Sequence, residues 1–259
     1  MTHVDLHPRI LSLCSGIGGL DLGIGLAIPG ARTVCFVERE YPVCEVLEAR
    51  MEEGALEYAP IHSDLRSFDG EEWRGRVDIV AAGYPCQPFS VAGKRQGEED
   101  ERHLWPEVRR IIGEVGPSLV VLENVAGHLR LGFDRVLGEL ADLGFDAEWS
   151  LVRASDVGAP HRRERLFVVA YPHGEGLEGW GVRLGLGYSG KWPTWPPGPA
   201  GDWSHVRPEL WPARPQSDFR GVDDGIPTRV DRLRALGNAV VPQQAAHAIR
   251  GLIRRALED

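Results

Sequence analysis

A cysteine stands between two prolines in Gly83-Tyr84-Pro85-Cys86-Gln87-Pro88-Phe89-Ser90. Pro85 and Pro88 fix φ and carry no amide hydrogen, so the stretch is a stiff loop rather than a helix. A thiol held on such a loop can serve as a nucleophile once it is deprotonated. Free cysteine is also among the most buried residue types, so these residues alone leave a nucleophile and a core thiol both open.

Five more groups carry chemistry. Ser15-Gly16-Ile17-Gly18-Gly19 lies between a short apolar run, Arg9 to Leu13, and a helix-like stretch, Leu20 to Ile28. Strand, glycine turn and helix open a nucleotide-binding βαβ unit, where the helix N-terminus offers free amide hydrogens. The alternative is a plain tight turn. The dinucleotide pattern G-x-G-x-x-G is not met, because its third glycine falls at Asp21. Glu38 ends a second strand, Thr33 to Val37, where an acid can accept from ribose hydroxyls or simply face solvent. Asp64 can accept from an exocyclic amine or cap a helix. Glu123-Asn124-Val125 follows the apolar run Ser118 to Leu122. In Gly158-Ala159-Pro160-His161-Arg162-Arg163-Glu164-Arg165, closely spaced cations suit an anion or form a solvated loop.

These residues need a scaffold that gathers them. Val77 to Ala82 is a short apolar run that reads as a buried strand, which puts the Cys86 loop at its carboxyl end. Open α/β sheets bind ligands at that edge. Helices are predicted at Pro42 to Met51, Trp105 to Val115 and Phe133 to Leu143. The last has Phe133, Val136, Leu137, Leu140 and Leu143 at helical spacing. Ile61 to Leu65 reads as a strand tip. Ala147 to Arg153 and Leu166 to Ala170 read as a hairpin, and Gln243 to Leu257 as a final helix. The predicted fold class is therefore α/β, a mostly parallel sheet with helices on both faces. Between Tyr171 and Thr228 regular periodicity disappears, and Trp180, Trp192, Trp195, Trp203 and Trp211 sit among prolines and glycines. So many tryptophans argue for a small irregular region rather than a disordered one.

The 259 residues suffice for one large α/β domain with a small insert. Cys14, Cys35, Cys44 and Cys86 form no C-x-x-C pair, so neither a zinc site nor a disulfide framework is expected. No metal is called for. No run approaches about 18 apolar residues, so a membrane span is not expected and a cytoplasmic location is. The net charge is −9, unevenly spread: residues 1–150 hold 14 basic and 26 acidic side chains, and 151–259 hold 15 and 12. A polyanion-binding face would draw on the second part and on the loop after Cys86.

Taken in order, the motifs resemble those of the cytosine-5 DNA methyltransferases. The set runs from Ser15-Gly16-Ile17-Gly18-Gly19 through Glu38, Asp64 and Gly83-Tyr84-Pro85-Cys86-Gln87. It continues with Glu123-Asn124-Val125, Arg163-Glu164-Arg165 and Gly237-Asn238-Ala239-Val240. Each is weak alone, and together they are highly specific. The resemblance implies a Rossmann-like, S-adenosylmethionine-dependent methyltransferase fold. It implies methylation of C5 of a flipped-out cytosine in double-stranded DNA, with Cys86 as nucleophile. Glu123 would contact the N3 side of the base, Asn124 would fix the loop, and Arg163 and Arg165 would flank base and nucleophile. The cofactor S-adenosyl-L-methionine would be bound by Ser15, Gly16, Ile17, Gly18, Gly19, Glu38, Asp64, Leu65, Leu104, Asn238 and Ala239. Gln87, Ser90, Lys94 and Arg102 would contact DNA. The catalytic and cofactor-binding domain would comprise residues 1–171 and 229–259, with 172–228 a short target-recognition region. A monomer is expected, with a cognate restriction endonuclease as a candidate partner.

The chain departs from the family where phenylalanine is usual and Cys14 stands, which removes an aromatic contact to adenine. Its variable region is short, and the usual longer segment before Gly237 is not recognisable. Three other readings are a tRNA-methylating relative, a non-catalytic nucleic-acid-binding relative and a nicotinamide-dependent oxidoreductase. Absence of the Cys-Phe-Thr tripeptide disfavours the first, intact Cys86, Glu123 and Arg165 the second, and Asp21 the third.

Overall fold

The computed structural model describes residues 7–85, 104–174 and 239–258. Cys86, Gln87, Ser90, Lys94, Arg102 and Asn238 lie outside the described residues, as does nearly all of 172–228. Within the described residues the strands are β1 (Arg9–Leu13), β2 (Arg32–Val37), β3 (Ile61–His62), β4 (Ile79–Ala82), β5 (Leu119–Val125), β6 (Phe145–Arg153) and β7 (Glu164–Pro172). They form one sheet in the order β3-β2-β1-β4-β5-β7-β6. Pairings from β3 across to β5 are parallel, and β7 runs antiparallel between β5 and β6. The chain lays β2 and β3 on one side of β1, then crosses back to place β4 on the other. The strand order therefore reverses between β1 and β4, where a crevice opens at the carboxyl ends.

The central strands are apolar on both faces because helices cover both. On one face α1 (Gly19–Ala27) and α5 (Pro242–Glu258) pack Ile24, Ile249 and Leu252 over Ile10, Ile79, Val121 and Phe167. On the other, α3 (Trp105–Val115) and α4 (Phe133–Asp142) pack Val108, Ile112, Val136 and Leu140 over Leu11, Val80, Val120 and Leu122. Alternate residues of β1, β4 and β5 thus feed two separate cores. Each such side chain removed from water contributes about 1.5–3 kcal/mol. A third cluster seats α2 (Tyr41–Glu52) through Leu47 and Met51 against Phe36 of β2.

Local signals account for the helix ends. Pro106 opens α3, and Gly116, at φ 58°, closes it with an amide bond to the Ile112 carbonyl of 2.9 Å. The predicted hairpin is present as β6 and β7. Most strands differ from expectation at one or both ends: β4 starts only at Ile79, and β2, β6 and β7 extend one or two residues further. The third is only Ile61–His62, paired with Phe36 and Val37 of β2. The fifth runs on through Val125, because β7 supplies a partner for each added residue: Glu123 opposite Phe167, Asn124 opposite Leu166, Val125 opposite Arg165.

Candidate active site

The glycine turn bridges β1 and α1 at the crevice. Cys14, Gly16 and Gly18 all take positive φ (50°, 54° and 76°), which folds the backbone tightly there. Ser15 pins it: its Oγ donates to the Ser12 carbonyl at 3.0 Å and accepts from the Val37 amide at 3.2 Å. Glu38 pins it from the neighbouring strand. One oxygen accepts from the Gly16 amide at 2.8 Å, the other from the Arg39 and Glu40 amides at 2.9 Å each. The acid predicted for ribose hydroxyls thus also fixes the turn's shape, and a carboxylate has about four acceptor positions, one more than these three amides use. A side chain at Gly16 would meet open space.

Beneath the turn Asp21 is buried, accepting from Ser12 Oγ at 2.9 Å and Thr33 Oγ1 at 2.8 Å. Burial raises its pKa to about 6, against those two bonds. Burial, with a contribution from Glu38, pushes the Cys14 thiol up to about 12, so it stays neutral.

Glu123 comes from the antiparallel extension of β5, on the face shared with α1 and α5. Arg165 of β7 stands diagonal to it, with Nε 2.9 Å from Glu123 Oε1. Both are withdrawn from solvent, Glu123 at 6% exposure. The pair is close but makes no aligned hydrogen bond at Oε1, which is left buried without a donor among the described residues. Burial lifts the Glu123 pKa to about 7, and Arg165 and then Arg163 restrain the rise. Arg163 Nη2 donates to the Ala239 carbonyl, and burial and then Arg165 hold its pKa below the ordinary arginine value. His161 and Arg162 are exposed. The cationic stretch therefore divides, two residues facing solvent and two turned inward.

One cleft gathers much of this. Its lining includes Cys14, Ser15, Gly16, Ile17, Gly19, Gly83, Glu123 and Ala239. Glu38, Asp64, Leu65 and Leu104 are not among its lining residues. Asp64 Oδ1 accepts from the Arg66 amide at 3.1 Å, an Asx turn that holds its pKa below the usual value. Leu65 is part of the core, and Leu104 precedes α3 and packs partly against that core. Gly18 is tucked against Leu56.

Three functional neighbours were not singled out from the sequence. The Tyr84 ring is buried against Trp105, and its hydroxyl meets His128 Nε2 at 3.0 Å while His128 Nδ1 meets the Leu131 carbonyl at 2.9 Å. Gln244 of α5 is fully buried and bonds the β6–β7 hairpin. Its only sequence signal is a polar residue one turn before Ala248 on an otherwise apolar stripe. Asn124 Nδ2 donates to the Tyr84 carbonyl at 3.1 Å, two residues before Cys86 in sequence.

A family model for C-5 cytosine-specific DNA methylases matches residues 8–194. The chain belongs to that family. Among curated relatives, the type II methyltransferase M.NgoMIV of Neisseria gonorrhoeae is 37% identical over 164 residues. That match covers 62% of this chain and 50% of the relative, so the chain spans about half of that protein's length. Two crystal structures share the fold at 22% identity. One is a Spodoptera frugiperda DNMT2 mutant, with TM-score 0.56, covering 65% of this chain and 51% of the other. The second is the S. pombe Dnmt2 methyltransferase, with TM-score 0.52, covering 66% and 52%. The Rossmann-like methyltransferase fold expected of a C-5 methylase is the one observed. Among the described residues no helix is long and apolar enough to cross a membrane.

Proposed function

We propose that the protein transfers a methyl group from S-adenosyl-L-methionine to C5 of cytosine in double-stranded DNA. The observation that carries this reading is Glu123: a buried carboxyl with a pKa near 7 beside Arg165, in the cleft that contains the glycine turn. The cleft also fits the cofactor, since Gly16 opens onto free space and Glu38 keeps acceptor capacity beside it. Ser15, Gly16, Ile17, Gly18 and Gly19 would bound its methionine end, Glu38 its ribose and Asp64 its adenine amine. Leu65, Leu104, Asn238 and Ala239 would complete the binding surface. When bound, the cofactor supplies an electrophilic methyl carried on a sulfonium.

Cytosine C5 is a poor nucleophile. In this mechanism the Cys86 thiolate adds to C6, forming an S–C6 bond, and the ring's electrons shift toward C5 and N3. Glu123 offers a proton or strong hydrogen bond at N3 as negative charge develops there. Arg165, and Arg163 beside it, keep that carboxyl oriented and offer donors to the base's O2. Once C5 has taken the methyl, the cofactor's sulfur leaving as a neutral thioether, a base or water takes the C5 proton. The electron pair then re-forms the C5–C6 double bond and expels Sγ. Asn124 holds the stem of the Cys86 loop through the Tyr84 carbonyl.

A base inside a duplex is out of reach, so it must be flipped out. Gln87, Ser90, Lys94 and Arg102 would contact the DNA, and residues 172–228 would read the sequence, outside a catalytic unit of 1–171 and 229–259. A cognate restriction endonuclease is the natural partner of such an activity, and the protein would act as a cytoplasmic monomer. Incubation with methyl-labelled cofactor and either duplex DNA or tRNA tests the reading. Label at cytosine C5 in DNA is expected, and label in tRNA alone overturns it.

A further inference from the structure

We propose that Gln244 is a positioning residue for the active-site arginines, clamping the mouth of the β6–β7 hairpin to α5 so that Arg163 and Arg165 stay beside Glu123. This rests on the reading of Glu123 as the group that meets the base. Gln244 is completely buried, and its Nε2 lies 2.7 Å from the Val152 carbonyl and 2.8 Å from the Arg163 carbonyl. Both partners are acceptors, so both amide hydrogens are committed and the amide's orientation is determined. The carbonyls lie 92 and 81 residues away in sequence, one on β6 and one in the connection immediately before β7.

The clamp closes on itself. Arg163 has a positive φ of 22°, unusual for a side chain of its size. In that conformation its carbonyl faces Gln244 while its guanidinium reaches the Ala239 carbonyl, five residues before Gln244. Two residues further on, Arg165 Nε sits 2.9 Å from Glu123 Oε1. A ladder of its own does hold the hairpin, and the Ala154 amide bonds the Arg162 carbonyl at 2.9 Å. Those bonds join β6 to β7 but do not set the hairpin's position relative to α5, whereas Gln244 does.

A merely structural glutamine would change stability and leave the ionisation of Glu123 alone. A positioning one would change both, because Arg165 and Arg163 are the charges that restrain the Glu123 pKa. Among the described residues Glu123 is the only carboxylate lining the cleft, and the Cys14 thiol there is neutral.

The test uses the full chain with Gln244→Met, which keeps the volume and removes the donors, and Gln244→Asn, which keeps an amide too short to span both carbonyls. The Glu123 carboxyl is followed by carbon-13 NMR with labelled glutamate, assigned by Glu123→Gln. In both variants Glu123 should titrate at higher pH than in the parent, and methyl transfer should fall at least tenfold with a cooperative melt retained. An unmoved Glu123 titration in a folded variant overturns the inference, even if the melting temperature drops. If Gln244→Met does not fold, Gln244→Asn decides by the same criterion. If the parent protein methylates no DNA, the proposed function fails, while the titration still judges the clamp.

Discussion

Glu123 Oε1 and Arg165 Nε lie 2.9 Å apart, diagonally across the β5–β7 ladder, with no hydrogen bond aligned between them. A carboxyl in that position is paired with a cation and withdrawn from water. It holds its proton up to about pH 7. Glu123→Gln should lower methyl transfer about 10²–10⁴-fold, the usual range for a general acid or base. In the parent, kcat/KM should decline as pH rises through about 7, because the protonated fraction is lost above the folded pKa. A profile flat from pH 6 to 8 would contradict that role.

Asn124→Ala should impair activity more than stability. It removes the donor to the buried Tyr84 carbonyl and the acceptor of the Val125 amide, two hydrogen bonds worth about 1–3 kcal/mol together. Two residues on, Cys86 would lose its fixed approach, so kcat should fall at least tenfold while cofactor binding, followed by calorimetry, is preserved. Equal loss of both would mean that Asn124 serves only the fold.

Asp21 predicts a pH-dependent stability. Its pKa is about 6 in the fold, against 3.8 for a free aspartate side chain. Between those values the native state keeps a proton that the unfolded chain has lost, so stability falls as pH rises from about 4 to above 6 and then levels. From pH 5 to 7.5 the parent should lose about 1–2 kcal/mol that Asp21→Asn does not. Urea unfolding at the two pH values measures the difference, and equal slopes for both proteins would rule it out.

Two glycines of α1 should respond oppositely to alanine. At Gly23 an added Cβ would lie 2.6 Å from the Ala245 Cβ and 2.8 Å from the Pro242 carbonyl, forcing α5 away. Gly23→Ala should destabilise by about 1–3 kcal/mol. At Gly25 the nearest atom is 3.8 Å away, so only helix propensity changes, and Gly25→Ala should stabilise by up to about 1 kcal/mol. Thermal melts of the pair decide it.

Much of this was legible in the chain because the signals are local. The helix expected at Trp105 to Val115 matches α3 to the residue, and in the structure Pro106 and Gly116 mark its ends. The turn at Gly16 and the hairpin were likewise visible. What was not visible depends on partners distant in sequence. The run from Glu123 to Val125 becomes strand only because β7 pairs with it. Likewise, Gln244 looks like any helical glutamine until the sheet brings Val152 and Arg163 against it. The division of the cationic stretch follows from Ala239 and Glu123 receiving Arg163 and Arg165, which charge spacing alone does not encode.

The central claim is that Cys86 attacks cytosine C6. Duplex DNA with 5-fluorocytosine in place of cytosine, incubated with the protein and S-adenosyl-L-methionine, tests it most directly, because fluorine at C5 cannot leave as a proton does. A covalent protein–DNA adduct mapped to Cys86, and absent in Cys86→Ser, is the predicted result. No adduct with the parent protein, or an undiminished adduct in Cys86→Ser, would contradict it.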